Sequence, residues 1–194
     1  MKGPGLIIAA PASGCGKTIV TLALLRAYRR AGEAVASAKA GPDYIDPAFH
    51  TAASGVDCVN LDCWAMRLET LSALAGTLSD DAGLVLCEGV MGLFDGAADG
   101  TGSTADLALR TGWPVVLVLD VSGQAASAAA QVGAGVGTST GGSSSSSSSS
   151  SGTVVALLQT SCPCWCPVAF VAGLIHTDSV VDSQWLARKE TPAA

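Results

Sequence analysis

Residues 6–18, Leu-Ile-Ile-Ala-Ala-Pro-Ala-Ser-Gly-Cys-Gly-Lys-Thr, restrict this chain to a narrow range of folds. The apolar run Leu6–Ala10 enters a turn of small residues that closes on Gly16-Lys17-Thr18. A helical pattern follows immediately, with apolar Val20, Leu22, Leu24, Leu25 and Tyr28, basic Arg26, Arg29 and Arg30 towards its end, and Gly32 as the stop. Strand, phosphate-cradling loop and helix N-terminus in this order define a P-loop. Gly14 and Gly16 lack a Cβ, so the backbone can curl and aim its N–H groups at a polyphosphate. Ser13, Gly14, Cys15, Gly16, Lys17 and Thr18 form the predicted phosphate cradle of ATP. Lys17 is placed to reach the β- and γ-phosphates, and the Thr18 hydroxyl to ligate Mg²⁺. One position departs from G-x-x-x-x-G-K-[ST]: its first glycine is Pro11 here.

Further strands are read at Val35–Lys39, Leu84–Glu88 and Val115–Asp120, with helices over Ser103–Leu109 and Gln124–Val132. Nearly continuous apolar strands alternating with helices predict an α/β fold, a doubly wound and mostly parallel sheet with ligands at the carboxyl ends of its strands. The 194 residues carry 49% hydrophobic and only 13% charged residues, enough for one α/β core. A net charge of −6 without a Lys/Arg cluster excludes a nucleic-acid surface. No signal peptide is visible, and the seven cysteines, an odd number, read as reduced thiols of a cytoplasmic protein.

The expected organisation is a P-loop domain over 1–132, a Gly/Ser low-complexity linker over 133–152 with nine consecutive serines, and an atypical tail over 153–194 holding one strand, Val168–Ile175. Val154–Ile175 has no charged residue, but Pro163, Pro167 and Cys-Pro-Cys-Trp-Cys argue against a membrane span. The Cys162, Cys164, Cys166 spacing is one residue short of a metal pattern and reads as untuned thiols.

Two strings carry the remaining chemistry. Lys39-Ala-Gly-Pro-Asp-Tyr-Ile-Asp-Pro47 follows the second strand with two acids three residues apart. Asp46 is expected to cap a helix opening at Pro47 and also to face a shared cation. Glu88-Gly-Val-Met-Gly-Leu-Phe-Asp-Gly96 leaves the third strand with a carboxylate where P-loop enzymes keep an acid near Mg²⁺. Thr18, Asp46 and Glu88 are thus the expected Mg²⁺ ligands.

Together with Phe49-His50 and Val59-Asn60-Leu61-Asp62, these strings make residues 4–130 resemble the N-terminal synthetase domain of the cobyrinic and hydrogenobyrinic acid a,c-diamide synthases. The resemblance implies a dethiobiotin synthetase-like fold. It implies ATP-dependent amidation of the a- and c-acetate carboxylates of a corrinoid acid in cobalamin biosynthesis, through an acyl phosphate, with glutamine or ammonia as nitrogen donor. It further implies that Asp43, Tyr44 and Ile45 lie beside the carboxylate being activated. Lys17, Lys39 and Asp43 become the catalytic residues, Lys39 stabilising the phosphoryl group in flight or orienting the substrate acid. A homodimer is compatible with it.

Full-length members of that family continue into a glutamine amidotransferase domain, and nothing after residue 130 resembles it. Where their last strand ends near an adenine-reading Asn, Thr177 stands here. Three other readings compete. A dethiobiotin synthetase-like ligase would lack the G-P-D-Y-I-D-P string. A partitioning ATPase would carry a signature Lys where Ala12 stands. The third is a truncated, inactive remnant that lacks the glutaminase, although free ammonia could still support synthesis if the first domain folds.

Overall fold

The computed structural model describes residues 4–121 and the strands at 154–159 and 171–175. The helix expected over Gln124–Val132, the 133–152 linker, Cys162, Cys164, Cys166 and Thr177 lie outside the described residues.

Strand β1 (Gly5–Ala9) feeds the loop that opens helix α1 (Lys17–Ala31). Then come β2 (Val35–Ala40), α2 (Asp46–Ser54), β3 (Val59–Leu61), α3 (Leu68–Asp81), β4 (Leu84–Glu88), α4 (Thr104–Thr111), β5 (Val115–Asp120), β6 (Val154–Gln159) and β7 (Val171–Ile175). The sheet order is β3-β2-β4-β1-β5-β6-β7, parallel from β3 to β6, with β7 antiparallel at the edge. The predicted doubly wound, mostly parallel sheet is what the chain forms. The tail contributes two strands where the sequence reading placed one. Val154-Val-Ala-Leu-Leu158 is as apolar a run as β5 itself, and the adjoining serines hid its strand character.

Side chains alternate across the sheet and divide the core in two. Ile7, Ala36, Ala38, Val85, Cys87 and Leu117 point to the layer built by Leu71, Ala75 and Leu78 of α3 and Leu107 of α4. On the opposite face Ile8, Val116 and Val118 meet Val20 of α1, while Val35 and Leu86 meet Leu25 of the same helix. Val20 and Leu25 are buried a little more than one turn apart, and each such side chain contributes about 1.5–3 kcal/mol. Helix α1 stops where expected, at Gly32 with φ 81°, whose N–H bonds Arg29 O while Glu33 N–H reaches Tyr28 O.

β3 and α3 are elements that the sequence reading did not place. β3 is three residues long, and α3 begins after Arg67 with no side-chain cap. Its burial face, Leu71, Ala75 and Leu78, follows helical spacing, but Gly76 and interleaved Ser and Thr dilute the signal.

β2, β4 and β1 are neighbours, so the segments leaving their carboxyl ends share one sheet edge. Lys39 lies opposite Glu88, and Glu88 opposite Ile8, in register. In-register partners on parallel strands face the same way. Lys39 and Glu88 therefore stand side by side on the α1/α2 face, at the mouth of the loop.

Candidate active site

The cradle is built by two left-handed glycines, Gly14 (φ 83°) and Gly16 (φ 86°), the second forming the N-cap of α1. A Cβ-bearing residue adopts either conformation only with strain. Lys17 is 7% exposed and donates to Ala12 O at 2.9 Å and Met91 O at 2.6 Å. Burial holds its ammonium below the ordinary lysine pKa. Met91 is the one described non-glycine residue with positive φ, at 49°. Its carbonyl is the nearer of the two acceptors of the Lys17 ammonium, so the strained backbone residue sits against that lysine.

The loop after β4 is fixed to the cradle. Leu93 N–H bonds Ala10 O, and a Cβ on Gly92 would lie 2.5 Å from Pro11 O. Thr104 pins the same loop, its hydroxyl accepting from Val90 N–H at 3.1 Å and facing Val90 O at 3.3 Å. Gly89 fits between Thr104 and Ile8 O with no room for a methyl, since a Cβ there would be 2.7 Å from Thr104 Cγ2. Gly89→Ala is accordingly expected to destabilise the protein by about 1–3 kcal/mol through overpacking. A urea unfolding midpoint equal to that of the parent chain would contradict this.

The charged residues converge. Glu88, 1% exposed, accepts from Thr18 Oγ1 at 2.6 Å and Lys39 Nζ at 3.0 Å through Oε1, and meets His50 Nε2 at 2.7 Å through Oε2. Lys39 Nζ also bonds Asp46 Oδ2 at 2.7 Å and Gly89 O at 3.3 Å, and lies 3.8 Å from Asp43 Oδ2. Burial opposes the charge on both Glu88 and Lys39. The partners outweigh it, holding Glu88 below the ordinary carboxylate pKa and Lys39 above the ordinary lysine value.

The expected cap at Asp46 is corrected. α2 opens at Asp46 itself, with Ile45 as N-cap and no side-chain cap. Asp43 Oδ1 accepts from Ile45 N–H at 2.8 Å and Asp46 N–H at 3.1 Å, which frees the Asp46 carboxylate for Lys39. Those two amides, against the cost of burial, hold the Asp43 carboxyl below its ordinary value. Asn60 of β3 braces the turn, donating from Nδ2 to Asp43 O.

A cavity of about 420 Å³ results, lined by Ser13, Gly14, Gly16, Lys17, Thr18, Ile19, Lys39, Asp43, Asp46 and the run Glu88 to Met91. Among the predicted residues, Cys15 does not line it; it packs, partly buried, against the cluster of Ile8, Ala10, Val20, Val116 and Val118. Tyr44 and Ile45 stand outside the cavity, exposed at 88% and 60%. Cys87, beside Glu88 in sequence, points to the other face of the sheet, and burial pushes its thiol far up, which makes it unreactive.

Two residues lie within the strings singled out from the sequence without a role assigned to them there. Met91 acts through its carbonyl, which no side-chain pattern reveals. His50, fully buried, lies on the same face of α2 as Asp46, four residues on; that D-x-x-x-H spacing was the available signal.

Among the described residues no group of three or more His, Cys, Asp or Glu is arranged to hold a metal ion unaided. The donor set fits Mg²⁺ nonetheless, because Mg²⁺ is held by one or two carboxylates together with substrate phosphates. The Lys39 ammonium already marks the point where Asp46 and Glu88 can share a cation.

The His50–Glu88 pair gives a pH prediction for the ligand-free protein. Burial opposes protonation of His50, but Cys58 Sγ at 3.5 Å from Nδ1 and the Glu88 carboxylate raise its pKa from 6.5 to about 9. A raised folded-state pKa adds stability that is complete below about pH 6.5 and is lost as pH rises through about 9. Glu88, held low, adds stability present above about 4.5 and lost as pH falls through its lower folded value. Unfolding free energy is expected to be highest between these limits and to fall by ~1–3 kcal/mol on the alkaline side. His50→Gln should flatten that alkaline limb; an unchanged limb would show that another group causes it.

Comparison with known proteins agrees with this architecture. The family profile of the CobQ/CobB/MinD/ParA nucleotide binding domain (CbiA) matches residues 6–161. The chain belongs to that family. Within it, the chain is 64% identical over 124 residues to hydrogenobyrinate a,c-diamide synthase of Brucella anthropi, covering 63% of this chain and 28% of that protein. It is 62% identical over 116 residues to the same-named protein of Rhizobium meliloti, covering 60% of this chain and 27% of that protein. The chain thus matches little more than a quarter of the length of these relatives. Among solved structures, the signal recognition particle receptor FtsY of Elizabethkingia anophelis in complex with GDP matches 70% of this chain and 47% of its own. Its TM-score is 0.50 at 17% identity, a likeness of fold. No described helix is long and apolar enough to cross a membrane.

Proposed function

We propose that this chain carries the ATP- and corrinoid-handling part of a cytoplasmic hydrogenobyrinate or cobyrinate a,c-diamide synthase, a carboxylate-amidating ligase. The observation that supports it is the single cavity into which the cradle, Lys17, Thr18, Lys39, Asp43, Asp46 and Glu88 all open.

In this reading the amides of residues 13–18 and the Lys17 ammonium bind the ATP triphosphate. Thr18, Asp46 and Glu88 hold Mg²⁺, which supplies charge neutralisation to the phosphates when bound. A carboxylate is a poor electrophile. An acetate oxygen of the corrinoid therefore attacks the γ-phosphorus in line, and the bond to the ADP oxygen breaks. Lys39, released from its acids, neutralises charge on the phosphoryl group in flight, and Asp43 with Tyr44 and Ile45 sits against the substrate acid. Ammonia, free or released from glutamine, then attacks the acyl carbon. Phosphate leaves with the C–O electron pair, and the nitrogen loses a proton to give the amide. Exposed Tyr44 and Ile45 offer apolar surface beside the cavity mouth to a large, flat substrate. Residues 1–132 form the synthetase domain in this reading, and 133–152 link it to a tail, 153–194, whose strands extend the same sheet.

The test is ATP turnover with and without hydrogenobyrinic or cobyrinic acid in ammonium buffer, followed by mass spectrometry of the corrinoid. ADP release that depends on the corrinoid acid, with conversion to mono- and diamide, is expected. Turnover indifferent to the acid would identify a nucleotide switch and overturn the ligase reading.

A further inference from the structure

Glu88 offers two carboxylate oxygens, and they face different neighbours. Oε1 meets Thr18 Oγ1 and Lys39 Nζ on the cavity side. Oε2 meets only His50 Nε2, at 2.7 Å, among the contacts described for it, and the His50 and Glu88 side chains are 0% and 1% exposed. His50 sits one helical turn beyond Asp46 on α2, so a single helix carries both an acid of the cavity and the partner of another. Cys58 Sγ at 3.5 Å from Nδ1 braces the opposite edge of the ring.

We infer that His50 is a positioning residue: its Nε2–H holds Glu88 Oε2, turning Oε1 towards Thr18 and the cavity and tying that orientation to the helix that delivers Asp46. The inference rests on the reading above, in which Glu88 is a metal ligand. Without that donor Oε2 loses the contact described for it, and the carboxylate is held from the Oε1 side alone by Thr18 and Lys39. Groups that orient metal-binding side chains in this way are typically worth about 10–100-fold in metal affinity. A histidine that only fills core volume would have no such effect.

Two substitutions of similar size and polarity separate the alternatives. In His50→Gln the side-chain amide takes the place of Nε2 and still donates to Glu88. In His50→Asn it takes the place of Nδ1 and reaches only the Cys58 side. The probe is Mn²⁺ binding, followed by electron paramagnetic resonance with the chain saturated in a non-hydrolysable ATP analogue. Analogue binding in EDTA and thermal melts by circular dichroism are measured in parallel. His50→Asn is expected to weaken Mn²⁺ binding about tenfold or more, with His50→Gln within about threefold of the parent and analogue affinity in EDTA unchanged in both. Equal weakening in both variants, or none in either, overturns the inference. Glu88→Gln serves as the control. If it leaves Mn²⁺ affinity intact, the metal-site reading itself fails, whereas loss there with no effect of His50→Asn sinks only the role of His50. Should His50→Asn not fold, the ¹⁵N-histidine spectrum of the unaltered chain decides. The His50 Nε2–H resonance must move when Mg²⁺ is added with the analogue, and a resonance that stays in place overturns the proposal.

Discussion

Glu88→Gln is expected to lower ATP-dependent amidation by about 10²–10³-fold or more, an effect of the size seen when a group that stabilises charge in the transition state is removed. The substitution keeps the shape but removes the negative charge to which Thr18, Lys39 and His50 all point, and it turns one of the two accepting oxygens into a donor. The cavity then presents Lys17 and Lys39 to a polyphosphate with one acid fewer to share a divalent ion. Asp46 still pairs with Lys39 at 2.7 Å, so the far-ultraviolet circular dichroism spectrum should match that of the parent. Product counted by mass spectrometry at saturating ATP and ammonia is the measurement, and amidation within a few-fold of the parent would remove Glu88 from the machinery.

The second large effect concerns stability in the absence of ligand. Lys39, 3% exposed, is the cation between Asp43, Asp46 and Glu88, and Lys39→Met leaves those three acids facing one another. Removing one partner of a buried pair costs about 3–5 kcal/mol; the partial exposure of Asp43 and Asp46 lets water screen them, which places the expected loss near the lower figure. A divalent cation can stand where the ammonium stood. Mg²⁺ or Mn²⁺ without nucleotide should therefore restore much of the lost unfolding free energy in Lys39→Met, while shifting that of the parent chain little. Denaturation in EDTA and in excess metal checks both halves. Equal metal response in the two proteins would show that Lys39 does not occupy the cation position.

Much of this site was legible in the sequence because its parts are punctuated locally. The strands ending at Glu88 and Asp120 were read at their observed bounds, since each is a short apolar run flanked by glycine, proline or a carboxylate. The cradle was readable because Gly14 and Gly16 are needed for φ values that other residues resist. Less legible was everything fixed by distant contacts. Asp46 looked like a helix cap from its neighbour Pro47. Only the fold shows Asp43 taking the backbone amides so that Asp46 can turn to Lys39. His50 and Glu88 are 38 residues apart, and the Lys17–Met91 contact spans 74, distances at which composition and periodicity are silent. β3 and α3 escaped for a different reason. Three residues are too few for a strand pattern, and α3 gains its stability from Leu71, Ala75 and Leu78 packing on the sheet, without local caps.

The pairing of β2 with β4 has a reach of its own. Because consecutive side chains of a strand take opposite faces, sliding β2 by a single residue would leave a methyl group of Ala38 or Ala40 beside Glu88 and drive an ammonium in among Leu71 and Ala75. The alanines of Val-Ala-Ser-Ala-Lys-Ala thus work as a gauge that sets where the charge emerges. A bulkier side chain at Ala38, on the far side of the sheet from the cavity, would shift Lys39 against Glu88 without touching either.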